Sequence, residues 1–187
     1  MRIYITGASC AGVTTLGHTL ASLLGVPHVD VDDVYWLPTN PPFTTKRPPH
    51  ERVSLIQQAL GDQGWVLTGS SDGWGEALIA HVDLIVFVST PTPVRLHRLA
   101  LREQARFGER IAPGGDMHEI HVAFREWASQ YDDPLCPGRN RARHEEWISR
   151  QTVAVLRIDG ENAPEHMVAD VLQAVSPRAL EPIQLRL

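Results

Sequence analysis

The sequence predicts an α/β domain, three layers deep, in which a parallel sheet carries helices on both faces. Three observations lead there. Short runs rich in β-branched residues recur along the chain, helical stretches separate them, and a glycine-flanked turn joins the first strand to the first helix. Strands alternating with helices require crossover connections, and crossovers give parallel strands. The 187 residues suit a single domain, residues 1–175, followed by a tail, residues 176–187.

Each element has its local reason. Residues 2–6 (RIYIT) are β-branched and aromatic and stop at Gly7, as a short buried strand does. Residues 14–24 set Leu16, Leu20, Leu23 and Leu24 at helical spacing, and Gly25 supplies the stop. A second strand, residues 28–31, runs into the acids Asp30, Asp32 and Asp33. Residues 37–49 are proline-rich and read as an ordered surface loop, and residues 52–60 as a helix. Residues 65–68 form a third strand before the turn GSSDGWG. Residues 84–88 (LIVFV) are the most apolar run, which suits a strand buried on both faces. A long arginine-bearing helix, 92–107, leads into a glycine- and proline-containing loop at 108–115. Helices at 117–131 and 141–150 flank an irregular stretch, and a strand at 153–158 and a helix at 164–175 complete the domain.

Composition narrows the function. Hydrophobic residues make up 43% and charged residues 21%, an ordinary soluble balance. The net charge of −5 speaks against a general nucleic-acid or membrane-surface binder, either of which needs a basic face. Two cysteines without a CxxC, no signal-peptide pattern and no membrane-length apolar run make the cytoplasm the expected compartment. The expected assembly is a monomer or weak homodimer. Lys46 is the only lysine, so any phosphate clamp must be built from arginine and backbone amides.

Residues 7–14 read G-A-S-C-A-G-V-T and match the phosphate-loop pattern G-x-x-x-x-G-K-[S/T] at every fixed position but one: Val13 stands in place of lysine. Glycines let successive N–H groups turn inward as an anion nest, and the helix that follows points its positive end at the same place. Gly7, Ala8, Ser9, Cys10, Ala11, Gly12, Val13, Thr14 and Thr15 are therefore the expected nucleotide-phosphate site, with the Thr14 hydroxyl as the magnesium ligand.

The order of GASCAGVTT, DVDDVYWLP, WVLTGS, VDLIVFVSTP, VRLHRLALRE and VAVLRIDG resembles the adenylate-kinase and shikimate-kinase branch of P-loop proteins. It is similar above all to the bacterial group called adenylate-kinase-like or topology-modulation-protein-like, and to a narrower subgroup whose loop lysine is also replaced. The resemblance implies a five-stranded parallel sheet of order 2-3-1-4-5, a lid over residues 106–140, ATP and Mg2+ as cofactors, and phosphoryl transfer to a nucleoside monophosphate or other small acceptor. One departure is Thr68-Gly69, where related enzymes often place an acid before the glycine.

The remaining candidates follow. Asp30 and Asp32, two apart, would face the same way in an extended segment at the carboxyl edge of the sheet, where open α/β sheets bind ligands. Asp32 is the preferred base, with Asp30, Asp33, Gly69, Ser70 and Trp74 on the acceptor side. Arg98, Arg102 and Arg106 recur every four residues and form one helical stripe, with Arg110 beyond. The resemblance puts Arg98 and Arg102 at the hinge of the lid and adds Arg139 and Arg141 as further phosphate contacts. Tyr35, Trp36 and Phe43 read as loop packing or acceptor lining, and Phe124, Trp127 and Tyr131 as core. Two readings stay open: a phosphotransferase, and a nucleotide- or phosphometabolite-binding module with little or no catalysis.

Overall fold

The computed structural model describes residues 1–179. Five strands, β1 (Arg2–Gly7), β2 (His28–Asp30), β3 (Trp65–Thr68), β4 (Leu84–Ser89) and β5 (Val155–Asp159), form one parallel sheet in the order β2-β3-β1-β4-β5. This is the order that the resemblance implied. Around it run α1 (Val13–Leu24), α2 (Val31–Tyr35), α3 (Pro49–Leu60), α4 (Glu76–Ile79), α5 (Thr92–Phe107), α6 (His118–Ser129), α7 (Arg141–Ser149) and α8 (Pro164–Ala179).

Alternation along the strands builds the two cores. Ile3, Ile5, Val86 and Val88 point to one face, where α1 and α8 cover them with Leu16, Leu20 and Val171. Tyr4, Leu67, Ile85 and Phe87 point to the other, beneath Ile56 of α3 and Trp147 and Ile148 of α7. The central strands are apolar on both sides for that reason.

Register positions the site. Asp30 pairs with Thr68, Thr68 with Ile5 and Gly7 with Val88, so the ends of β2, β3, β1 and β4 form one edge. Helix α1 starts at that edge and crosses β3 closely, its Gly17 leaving no room for a Cβ beside Thr68.

Some boundaries differ from expectation. Asp30 ends β2 and caps α2, its Oδ1 accepting from the Asp32 amide at 2.9 Å, so the acids sit on a strand end and a helical turn rather than along an extended segment. Helix α3 begins three residues earlier than residue 52, with Pro49 at its first position. Helix α8 continues to Ala179, and residues 180–187 of the expected tail lie outside the described residues. No helix among the described residues is long and apolar enough to cross a membrane.

Candidate functional site

The loop between β1 and α1 is open and donor-rich. Gly12 caps α1 at φ 104 and Cys10 holds φ 61, both left-handed values that interrupt the chain's normal course. The Ala11 amide closes a turn onto Ala8 O at 3.1 Å, while the amides of Ser9, Cys10, Gly12, Val13 and Thr14 have no acceptor among the described residues. Five free N–H groups at a helix start form an arrangement that suits an anion. Gly7 is required beneath it: a Cβ would lie 2.5 Å from Val88 O and 3.1 Å from Val13 Cγ2.

Val13 turns away from this concavity. It is 8% exposed and packs in the apolar layer with Ala11, Leu16, Ile158 and Met167. Arginines of other elements lie around the loop. Arg139 Nη2 donates to Ser9 Oγ at 2.8 Å, with its guanidinium over the Trp127 ring at 5.0 Å. Arg98 Nη2 donates to Gly160 O at 2.9 Å, beside Gly12. Arg102 lies against Glu103, with Nη2 3.1 Å from Oε1, over the Phe124 ring. Arg95 is buried and clamps the loop from below, donating to Thr90 O at 3.1 Å, to Ser9 O at 3.4 Å and to Ala128 O at 3.4 Å.

Cys10 sits in the field of Arg102, Arg95 and Arg98, yet burial outweighs them and, with Glu103, pushes its thiol up. Desolvation thus exceeds the pull of the three guanidinium groups on the Cys10 thiol.

The acids meet the loop at the sheet edge. Thr14 Oγ1 donates to Asp30 Oδ2 at 2.6 Å, which joins two hard oxygens at the helix start. Asp32 is exposed at its surface, with protein groups close around its carboxyl. Burial and then Asp30 push its carboxyl above the usual range, against Arg139 and Arg102. Asp33 is raised in the same way, first by burial and then by Asp30. Gly69 (φ 108) lies beside Val31 and Asp30, and its carbonyl accepts from Tyr4 Oη at 3.0 Å. Ser70 is half-buried next to it.

Other expected residues lie apart from the loop. Arg106 stacks over Phe43 and Phe107 at 5.1 and 5.3 Å, on the side of Asp33. Arg110 is exposed and forms a two-point pair with Asp116. Arg141 pairs with Asp132 at 2.7 Å. Trp74 packs edge-on to Tyr35, 6.2 Å between centroids. Thr68 is fully buried and shares a 2.9 Å hydrogen bond with His28, so β3 offers no acid to a metal.

The amino-acid sequence did not reveal Arg95, Thr90, Gly160, Phe124 or Trp127 as parts of the site. Phe124 and Trp127 were expected in the core but are half-buried and stacked 5.7 Å apart, serving as platforms for Arg102 and Arg139. Their spacing of three on one helix was the available signal.

Comparison with known proteins follows this geometry. No family model matches the chain. It is 39% identical over 176 residues to the uncharacterized protein YqaC of Bacillus subtilis (strain 168), covering 94% of this chain and 97% of that one. The chain belongs to the YqaC family. Among solved structures it is similar to a gluconokinase from Sinorhizobium meliloti 1021, with TM-score 0.56, 17% identity and coverage of 95% and 93%. It is similar also to shikimate kinase from Aquifex aeolicus, with TM-score 0.51, 21% identity and coverage of 97% and 100%. The likeness is one of architecture: the chain shares the fold of these two kinases.

Proposed function

We propose that the chain is an ATP-dependent phosphotransferase acting on a small acceptor through a phosphate loop that lacks lysine. What supports this above all is the gathering of Arg98, Arg102 and Arg139 around a loop whose amides are unengaged. Arginine can replace the lysine's charge and adds paired hydrogen bonds to phosphate oxygens.

The amides of residues 9–14 would cradle the donor phosphates. Thr14 and Asp30 fit a magnesium ion, since hard oxygens that leave room for retained waters are what it takes; bound there, it would neutralise phosphate charge. Asp32 accepts the proton of the acceptor hydroxyl as that oxygen bonds to the γ-phosphorus and the bond to the ADP oxygen breaks. Its raised carboxyl makes it a better base than an ordinary aspartate. Arg102 leaves Glu103 to meet the charge on the moving phosphoryl group, and residues 106–140 close as a lid that excludes water. Membership of the subgroup with a replaced lysine is part of the same reading.

A second reading, a nucleotide-binding module with little or no catalysis, draws on the buried Val13 and on the engagement of Thr68 with His28. Calorimetric titration with ATP, ADP and AMP, followed by a transfer screen over nucleoside monophosphates and small alcohols, separates the two. Nucleotide binding with transfer is expected; binding without transfer to any acceptor favours the module, and no binding removes both. Arg102→Ala is expected to lower turnover by roughly a thousandfold while the chain stays folded, as loss of a charge-stabilising arginine does.

A further inference from the structure

Among the described residues, His121 Nδ1 is the buried side-chain polar atom without a hydrogen-bond partner. An orphan of this kind is unfavourable and asks for a reason. It lies 3.8 Å from Glu103 Oε2, too far for a hydrogen bond. Glu103 is 6% exposed, and the bonds it accepts go to its other oxygen: Arg102 Nε and Nη2 reach Oε1 at 3.3 and 3.1 Å. One buried carboxylate thus stands between an arginine of its own helix, α5, and a histidine of the neighbouring α6.

The two neighbours differ in freedom. The Arg102 side chain is 47% exposed and can swing away, whereas those of Glu103 and His121 are enclosed at 7% and 15%. When Arg102 goes to phosphate, Glu103 stays behind as a buried charge without a partner, which is strongly unfavourable. His121 is placed to answer it, since a shift of about 1 Å brings Nδ1 to hydrogen-bond distance. Its Nε2 makes no bond and is not sealed from water. The ring can therefore take a proton from solvent at Nε2 and, as imidazolium, donate Nδ1–H to Oε2. The other charged groups nearby are engaged or turned outward. His118 has Nδ1 3.0 Å from Ile111 O, Arg110 and Asp116 pair with each other in the segment packed against both helices, and Glu119 and Arg125 of α6 are exposed. From the β1–α1 loop, Cys10 feels both Arg102 and Glu103.

We infer that His121 is a positioning residue and the second partner of Glu103. Resting on the phosphotransferase reading above, it takes over the carboxylate, with one proton from solvent, as Arg102 leaves for the phosphoryl group. Nucleotide binding is thereby coupled to proton uptake. By linkage, lowering the pH through the range where imidazole titrates favours the release of Arg102.

Calorimetry of ATP binding with magnesium in excess, at about pH 7 in two buffers of different ionisation enthalpy, counts the protons. The wild type is expected to take up about half a proton per ATP. His121→Gln keeps a donor but not the charge; it should take up close to none and bind ATP roughly five- to tenfold less tightly. Glu103→Gln leaves Arg102 unheld, so ATP should bind without proton uptake and at least as tightly as in the wild type. Adding His121→Gln to Glu103→Gln should then change nothing, the mark of a histidine that acts through the carboxylate. A second arm needs no nucleotide: in Arg102→Ala, side-chain NMR should show His121 keeping its proton to higher pH than in the wild type. ATP binding without proton uptake, uptake that persists in folded His121→Gln, or identical His121 titrations in the wild type and Arg102→Ala overturns the inference. A wild type that binds no ATP overturns the phosphotransferase reading instead, and the NMR arm then decides whether His121 and Arg102 share Glu103.

Discussion

Val13 leaves the loop toward Gly7 and enters the layer between α1, β5 and α8, where 8% of it remains exposed. An aliphatic side chain there seals the core beneath the loop and does not face its free amides. Val13→Ala should accordingly lower unfolding free energy by about 2 kcal/mol in urea titration and leave ATP affinity within about twofold. Arg139→Ala should do the reverse: unfolding changes by less than about 1 kcal/mol, because the residue is half-buried, whereas ATP affinity falls roughly ten- to a hundredfold. A Val13 variant that loses nucleotide affinity, or an Arg139 variant that keeps it, would show that the charge is not supplied in the way proposed. The valine could be read directly from the motif, but the arginine that reaches Ser9 lies 130 residues further along the chain and no local pattern connects the two.

Between elements, the β1–α1 loop is tied to the turn after β5 as well as to its own helix. Thr90 Oγ1 donates to Ala11 O at 2.9 Å, and Gly160 packs against both groups so closely that a Cβ would lie far inside contact distance. The Gly160 carbonyl also holds Arg98. Gly160→Ala must therefore push the β5–α8 turn off the loop, and it is expected to cost about 1–3 kcal/mol of stability, as overpacking does, and to weaken ATP binding. Unchanged melting and nucleotide titrations would mean that the turn yields freely. This tie was hidden because Gly160 follows a strand in an ordinary-looking turn. Long periodic elements were legible: α5 spans residues 92–107 as its leucines and arginines indicate, and the buried β4 stood out by its unbroken apolar run. Helices α2 and α4 were not, for at five and four residues they have no period to read. Contacts formed by the rest of the fold hold them: the Asp30 cap on α2, and Leu78 and Ile79 of α4 in the core beneath α3.

At the scale of the whole molecule, strand alternation required a parallel sheet, whereas the order of its strands came from resemblance, since periodicity carries no information about which strand lies beside which. The same limit hides buried polar pairs that join distant parts of the chain. His144 of α7 is 2% exposed, lies 5.8 Å from the Phe87 ring on the sheet, and shares a 2.8 Å hydrogen bond with Tyr131 at the end of α6. Burial, helped by Arg139, pushes its imidazole down from 6.5 to about 4, and burial raises the Tyr131 hydroxyl to about 12. The unfolded chain binds a proton at His144 below pH 6.5, and the folded chain does so only near pH 4. Unfolding thus takes up a proton across that window, and acid favours it. The stabilisation is whole above pH 6.5, falls as the pH drops and is lost near pH 4, a change of roughly 3 kcal/mol. Asp132 and Glu145 are held below the usual carboxylate range, so their contribution disappears at still lower pH, while the raised Asp32 and Asp33 act in the opposite sense. Urea titrations from pH 7 to pH 4.5 on the wild type and His144→Phe isolate the histidine as the difference between two slopes. The variant should be less stable at pH 7 and should lose less on acidification; parallel slopes would mean that His144 takes its proton in the folded chain as readily as in the unfolded one.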